Sequence, residues 1–198
     1  MNPRPEPAVL LVTSAIMLAA LSLLPATGSR AGAEGRVNPQ AMADAVHAVI
    51  EADRTVYTRN IVNRLQIEEK LIKADEHWKD EKALPLPSQM LRMGSELVAE
   101  KDIGVSYALL SLWPINQQNG AKTQAEKAGL RYIADHPGKN YYTEEELGGT
   151  SYFTAVYPDK AMAEACVSCH NHHKDTPKRD FKLDDVMGGV VVRIALQP

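Results

Sequence analysis

The chain predicts an α+β fold with an antiparallel sheet, a long N-terminal helix and a C-terminal attachment segment. Three observations carry this. A stretch from Asn38 to about Ala74 has helical apolar spacing and, beyond Pro39, neither glycine nor proline. Three short apolar runs, Val105–Trp113, Thr150–Tyr157 and Val190–Leu196, have strand composition. Short helical signals separate them, which is the pattern of an antiparallel sheet with helices and unlike an all-helical bundle.

Each element has a local cause. Asn38-Pro39 reads as an N-cap followed by proline in the first helical position. Met42, Val46, Val49, Ile50, Val56, Tyr57, Ile61, Leu65 and Leu71 then recur at helical spacing. This is one long helix or two end to end, expected to project from the domain or pair with another helix. Leu84-Pro85-Leu86-Pro87 breaks the chain, and a second helix is expected over Ser88–Lys101, ended by Gly104. Pro114 stops the first strand. Thr123 and Glu126 form a capping box for a short helix to about Ala134. Tyr141–Gly149 reads as an acidic loop whose Glu144-Glu145-Glu146 run is solvated. After the second strand, Pro158-Asp159 is expected to open a short helix running into Cys166. Asn171–Asp180 is polar and loop-like. Val190, Val192, Ile194 and Leu196 share one face of the last strand, and Arg193 lies opposite them.

The composition sets limits. The chain has 198 residues and a formal charge of −3, with no basic stripe, so nucleic acid is not an expected partner. Ala8–Leu24 is an apolar run containing Thr13 and Ser14, closed by Pro25, and Ala31-Gly32-Ala33 is an A-x-A cleavage pattern. Residues 1–33 thus read as a signal peptide, with an uncleaved anchor as the alternative, since a membrane span needs about 20 residues. The mature chain would begin at Glu34 with a charge one unit more negative, because Arg4, Arg30 and Glu6 are lost. A periplasmic location follows, with membrane contact only if the segment is retained. Within the remainder, 34–80 reads as a long helical region and 81–198 as the domain that carries the site.

The sharpest motif is Cys166-Val167-Ser168-Cys169-His170, the C-x-x-C-H attachment signature of a c-type haem. Two thiols at this spacing can each add across one vinyl group of the porphyrin, and the adjacent imidazole is then held at the iron. Other readings exist for a C-x-x-C pair: a redox dithiol, half of a zinc site completed by His172 and His173, or a structural disulfide. The chain has only these two cysteines. The export signal favours haem, and one covalently attached haem c is the cofactor expected, with His170 as proximal iron ligand.

The order of motifs resembles a family of c-type haem domains with a PAS-like fold. Some members are free-standing periplasmic or thylakoid-lumen haem proteins, and others form extracytoplasmic sensor domains of histidine kinases. The matching stretches are Tyr57–Val62, Leu86-Pro87 with the helix after it, Tyr107–Asn116, Tyr152–Pro158, Cys166–Asn171 and Gly188–Val192. The resemblance implies a haem packed against a PAS-like antiparallel sheet with His170 as proximal ligand. Some relatives place a cysteine or histidine in the helix that here spans Ser88–Lys101. This chain has neither there, and Met90 and Met93 are its distal candidates, with Arg92 between them. Tyr57 is a further distal-side candidate, as ligand or as hydrogen-bond donor to one. An open distal site is a third arrangement. His77 is expected in solvent, His47 on a polar helix face, and Arg193 in solvent or on a propionate.

Three functions fit these expectations. The first is a single-haem protein cycling Fe(III)/Fe(II) for electron transfer or redox sensing, with a redox partner protein. The second is a sensor of a diatomic ligand that signals through a partner. The third is a haem enzyme acting on a small nitrogen or oxygen species, ranked last because no distal histidine–carboxylate arrangement is evident. Electron transfer leads, since no transmitter segment follows to Pro198. The long helix leaves a homodimer open.

Overall fold

A computed structural model describes residues 38–196. The leader, its A-x-A pattern and the start at Glu34 lie outside the described residues. No described helix is long and apolar enough to cross a membrane.

The first helix, α1, spans Pro39–Val56. The Asn38 side chain caps it, accepting from the backbone N–H groups of Gln40 at 2.9 Å and Ala41 at 3.4 Å. The chain then widens without a break into a π-helical segment, Tyr57–Glu68, closed by Glu69 N–H donating to the Arg64 carbonyl. Such widening is rare and is frequently found at functional sites. The second helix, α2, spans Pro87–Ala99, and Gln89 accepts from the Leu86 N–H at its start. Strand β1 is Val105–Leu110. Helix α3 is Gln124–Asp135, with the expected capping box: Thr123 accepts from Glu126 N–H and Glu126 accepts from Thr123 N–H. Strands β2, Tyr141–Leu147, and β3, Thr150–Lys160, follow. Helix α4, Glu164–His172, and strand β4, Val186–Ala195, complete the chain.

The four strands form one antiparallel sheet in the order β1-β4-β3-β2. This is the PAS-like α+β class the sequence predicts. Both faces are covered. On one, α1 and α2 bring Ala43, Ile50 and Leu91 against Ala155, Tyr157, Val190, Val192 and Ile194. On the other, α3 brings Leu130 and Ile133 against Leu110, Val156 and Val191. The central strand β4 is therefore buried on both faces, which explains its unbroken Gly188-Gly189-Val190-Val191-Val192 run. Gly189 is required by close packing: a Cβ there would stand 2.7 Å from Ile133 Cδ1 and 2.9 Å from Val156 Cγ1.

Several expectations need correction. α1 does not project; its face lies on β3 and β4. The inward residues of α1 and the π-helical segment are Ala43, Ile50, Arg54, Thr58 and Val62, whereas Val49, Val56 and, beyond them, Leu71 are largely exposed. The acidic segment before Gly148-Gly149 is strand β2, not a loop. Both glycines have positive φ and make the two-residue turn of a β2–β3 hairpin. Pro158-Asp159 continues β3 instead of opening a helix. β2 has ended at Tyr141↔Val156, so Pro158 has no ladder bond to lose on that side. β1 stops at Leu110, earlier than expected, and the chain turns so that Trp113 leaves the sheet for Phe181.

Arg193 is neither solvated nor free for a propionate. It donates to Glu126 on α3 at 2.7 Å and to Glu145 on β2 at 2.8 Å, with all three side chains largely buried. Glu145 also accepts from the Thr154 hydroxyl, so this member of the acidic run is structural. Against the opposing effect of burial, hydrogen bonds from Arg193 and from the Thr123 and Lys122 N–H groups hold Glu126 below the ordinary carboxylate range.

Removing Arg193 strands two buried carboxylates. Arg193→Met is expected to cost about 3–5 kcal/mol, read as a lower urea midpoint with an unchanged slope.

Candidate functional site

Helix α4 begins four residues after β3 ends, and small side chains let it sit close. Ala161, Ala163 and Ala165 are all buried. The π-helical segment holds its entrance: Arg59 Nε donates to the Met162 carbonyl at 3.2 Å, and Asn63 accepts from the Ala165 N–H at 3.3 Å. At its exit the Asn171 amide bonds both ways to the backbone of Phe181, at 2.9 and 3.0 Å. Phe181 is buried beneath the helix with Ala161 and Met187, against Cys166.

Cys166, Cys169 and His170 stand at i, i+3 and i+4, so one face of α4 presents all three. Both thiols are free and half-buried. Burial pushes both above the ordinary thiol range. A reactive redox dithiol needs the opposite shift, so that reading loses support. Burial also holds His170 down to about 4, with the Arg54 charge and then His173 acting in the same direction. The imidazole is therefore neutral at neutral pH, the form that ligates a metal. Its ring meets Phe181 edge-on at 5.9 Å, and its buried Nδ1 has no hydrogen-bond partner. Phe181 in turn meets Trp113 at 5.8 Å, and Lys178 lies over both rings.

The neighbouring histidines face elsewhere. His172 Nδ1 lies 2.8 Å from the Ser168 carbonyl, and His173 Nδ1 accepts from the Asp175 N–H at 3.2 Å. Among the described residues, no group of three or more His, Cys, Asp or Glu converges to hold a metal ion. Completion of a zinc site by His172 and His173 is thus unsupported.

The distal-side candidates lie on elements that pack together, α2 and the π-helical segment. Met90 is half-buried and Met93 is 37% exposed. The Tyr57 hydroxyl donates to the Pro85 carbonyl at 2.7 Å, tying the π-helical segment to the chain before α2. Iron ligation by Tyr57 would require breaking that bond. Among the described residues, no hydrogen bond or ring contact joins Met90, Met93 or Tyr57 to His170. His77 is exposed, as expected. His47 is not on a polar face. It stacks on Tyr157 at 3.9 Å, and burial lowers its pKa. Tyr157 and Tyr142 both donate to the same Asp44 oxygen beneath it.

Two functional candidates were missed in the sequence. Arg54 grips buried Asp159 through Nη1 and Nη2, and its charge acts on both Cys166 and His170. Thr58, one turn on, is fully buried. Their signal was phase: both fall in register with Ala43, Ile50 and Val62, not with the polar face.

These features define an α+β protein organised around one C-x-x-C-H helix. A family model described as Tll0287-like matches residues 33–195, and the chain belongs to the Tll0287-like family. The resemblance carried by the motifs is borne out by this match. Among solved structures, the chain is similar to the cyanobacterial heme-protein Tll0287 at 15% identity and a TM-score of 0.49, covering 82% of this chain and 99% of that one. No curated protein matches.

In the haem-free chain, His170 sets a pH dependence. Between its folded value of about 4 and the usual 6.5, the unfolded chain binds a proton that the folded chain refuses. This contribution to stability is full above about 6.5 and is lost as pH falls toward 4. His170→Phe should flatten the unfolding free energy across that window in denaturant titrations.

Proposed function

We propose that this chain is a haem protein holding one haem c through Cys166 and Cys169, with His170 as proximal iron ligand, and that it serves electron transfer or redox sensing. One observation carries the reading: two free, half-buried thiols and a buried imidazole share one face of α4. Family membership agrees, since the family bears the name of a cyanobacterial heme-protein.

The attachment chemistry balances without an oxidant. Cys166 and Cys169 would each hold the haem by one thioether, the sulfur bonding to one vinyl carbon and the S–H hydrogen passing to the other. Raised thiol pKa values keep both sulfurs as S–H until then. Once bound, haem supplies one-electron Fe(III)/Fe(II) chemistry. The chain supplies a fixed imidazole. Backbone bonds between Ala161, Asp184 and Asp185 and the Asn171–Phe181 clamp hold α4 at both ends. Such anchoring suits a site that changes little between oxidation states. The apolar leader with its A-x-A pattern supports placing the protein in the periplasm, where this attachment occurs.

Replacing Cys166 and Cys169 together by alanine should abolish haem staining on a denaturing gel; staining that survives overturns covalent attachment. Optical spectra of the loaded protein test the role. A low-spin spectrum, oxidised and reduced, that ignores carbon monoxide is expected. Rapid carbon monoxide binding to high-spin ferrous iron would instead favour a sensor of diatomic ligands.

A further inference from the structure

Two aromatic rings join His170 to the protein surface. Its imidazole meets Phe181 edge-on at 5.9 Å, and Phe181 meets Trp113 edge-on at 5.8 Å. Both are contact distances for ring pairs. Phe181 is 3% exposed, whereas Trp113 is only half-buried, so the outer ring reaches solvent. The turn after β1 keeps it there. Ser111 Oγ accepts from the Trp113 N–H at 2.9 Å and donates to the Met187 carbonyl at 2.6 Å, which ties this turn to β4.

The surface around the outer ring is positively charged. Lys178 Nζ lies 4.9 Å from the Phe181 ring centre and 5.5 Å from that of Trp113. Lys174, Arg179 and Lys182 are exposed on the same loop. Asp175 pairs with Lys174 and Asp180 with Lys178. Among the described residues, Arg179 and Lys182 have no carboxylate partner for their side chains. At the base of the loop, Asp185 accepts from the Lys182 N–H at 2.7 Å, and Asp184 borders the cavity beside Arg54. Two unmatched cations thus flank Phe181 in a chain whose formal charge is −3.

We propose that Trp113 and the basic loop around Lys178 form the docking surface for a one-electron redox protein with an acidic face, and that electrons pass between it and the iron through Trp113, Phe181 and His170. This rests on the haem reading above. Tunnelling falls steeply with distance, so rings in contact shorten the gap between surface and iron. One electron moves: the partner's donor is oxidised as Fe(III) becomes Fe(II), and no bond forms or breaks. Tryptophan is the residue type that most often anchors a protein interface. Cations around it steer an acidic partner and orient it. Electron-transfer contacts are among the smaller interfaces, which suits a patch made of one turn and one loop.

The test uses the full haem-loaded chain, reduced and then mixed by stopped flow with an oxidant. Ferricyanide is the anionic probe and tris(phenanthroline)cobalt(III) the cationic one. The ferricyanide rate should fall as salt is added. Lys182→Glu should slow ferricyanide roughly tenfold at low ionic strength and speed the cobalt reaction. Trp113→Leu should slow both oxidants while the optical spectrum and midpoint potential stay as they were, which separates a lost route from a disturbed haem. Unchanged rates with both oxidants in haem-loaded Lys182→Glu overturn the docking surface, even if Trp113→Leu fails to load haem. Unchanged rates in haem-loaded Trp113→Leu overturn the aromatic route. Unmodified protein that carries no haem overturns the haem reading itself, and this inference with it.

Discussion

The pairing of β3 with β4 governs the arrangement of the site. Lys160 faces Val186 across that ladder, so residues 161–185 form an excursion pinched shut at its base. The pinch is made by Ala161 N–H donating to the Asp185 carbonyl and by Asp184 N–H donating to Ala161. Helix α4 hangs within this closed loop, and the positions of Cys166, Cys169 and His170 follow from the ladder register. The ladder in turn depends on β4, which is buried on both faces. Gly188 and Gly189 admit the neighbouring side chains and backbone that a Cβ would displace. A one-residue slip in β4 would exchange its two packed faces and move the far end of the excursion.

Buried charge is handled in two ways. At the α3 side of the sheet, Arg193 serves two carboxylates and links α3, β2 and β4. There, pairing is complete and the role is architectural. Near α4, the Arg54–Asp159 pair leaves one guanidinium N–H unused beside a neutral imidazole and two protonated thiols. Titratable groups perturbed by burial and a specific charge cluster at functional sites, which sets this side of the sheet apart from the fully paired one. The π-helical segment brings both halves together: it continues the helix that carries Arg54, and Arg59 and Asn63 hold the entrance of α4.

Legibility in the sequence divided along physical lines. Signals local in the chain were readable: the Asn38 cap, the Thr123–Glu126 box and the C-x-x-C-H spacing depend on neighbours a few residues apart. Contacts between distant segments were not. Arg193 looks solvated until Glu126 and Glu145 meet it from two other elements, and β2 looks like an acidic loop because Glu145 faces that buried partner. Gly148-Gly149 was a readable hairpin signal that the surrounding charge obscured. The apolar residues of the first helix suggested the wrong stripe, because Arg54 and Thr58 occupy part of the inward face. The thiols and imidazole of α4 are thus legible in a motif, whereas the burial of Arg54 and Thr58 shows only in the phase of the helix.

The most direct test of the account is the intact mass of the mature chain, expressed in cells that load c-type haem, with thiol alkylation before analysis. A mass increased by one haem and no alkylated cysteine is expected. The unmodified mass with both Cys166 and Cys169 alkylated, from cells that load other c-type proteins, would contradict it.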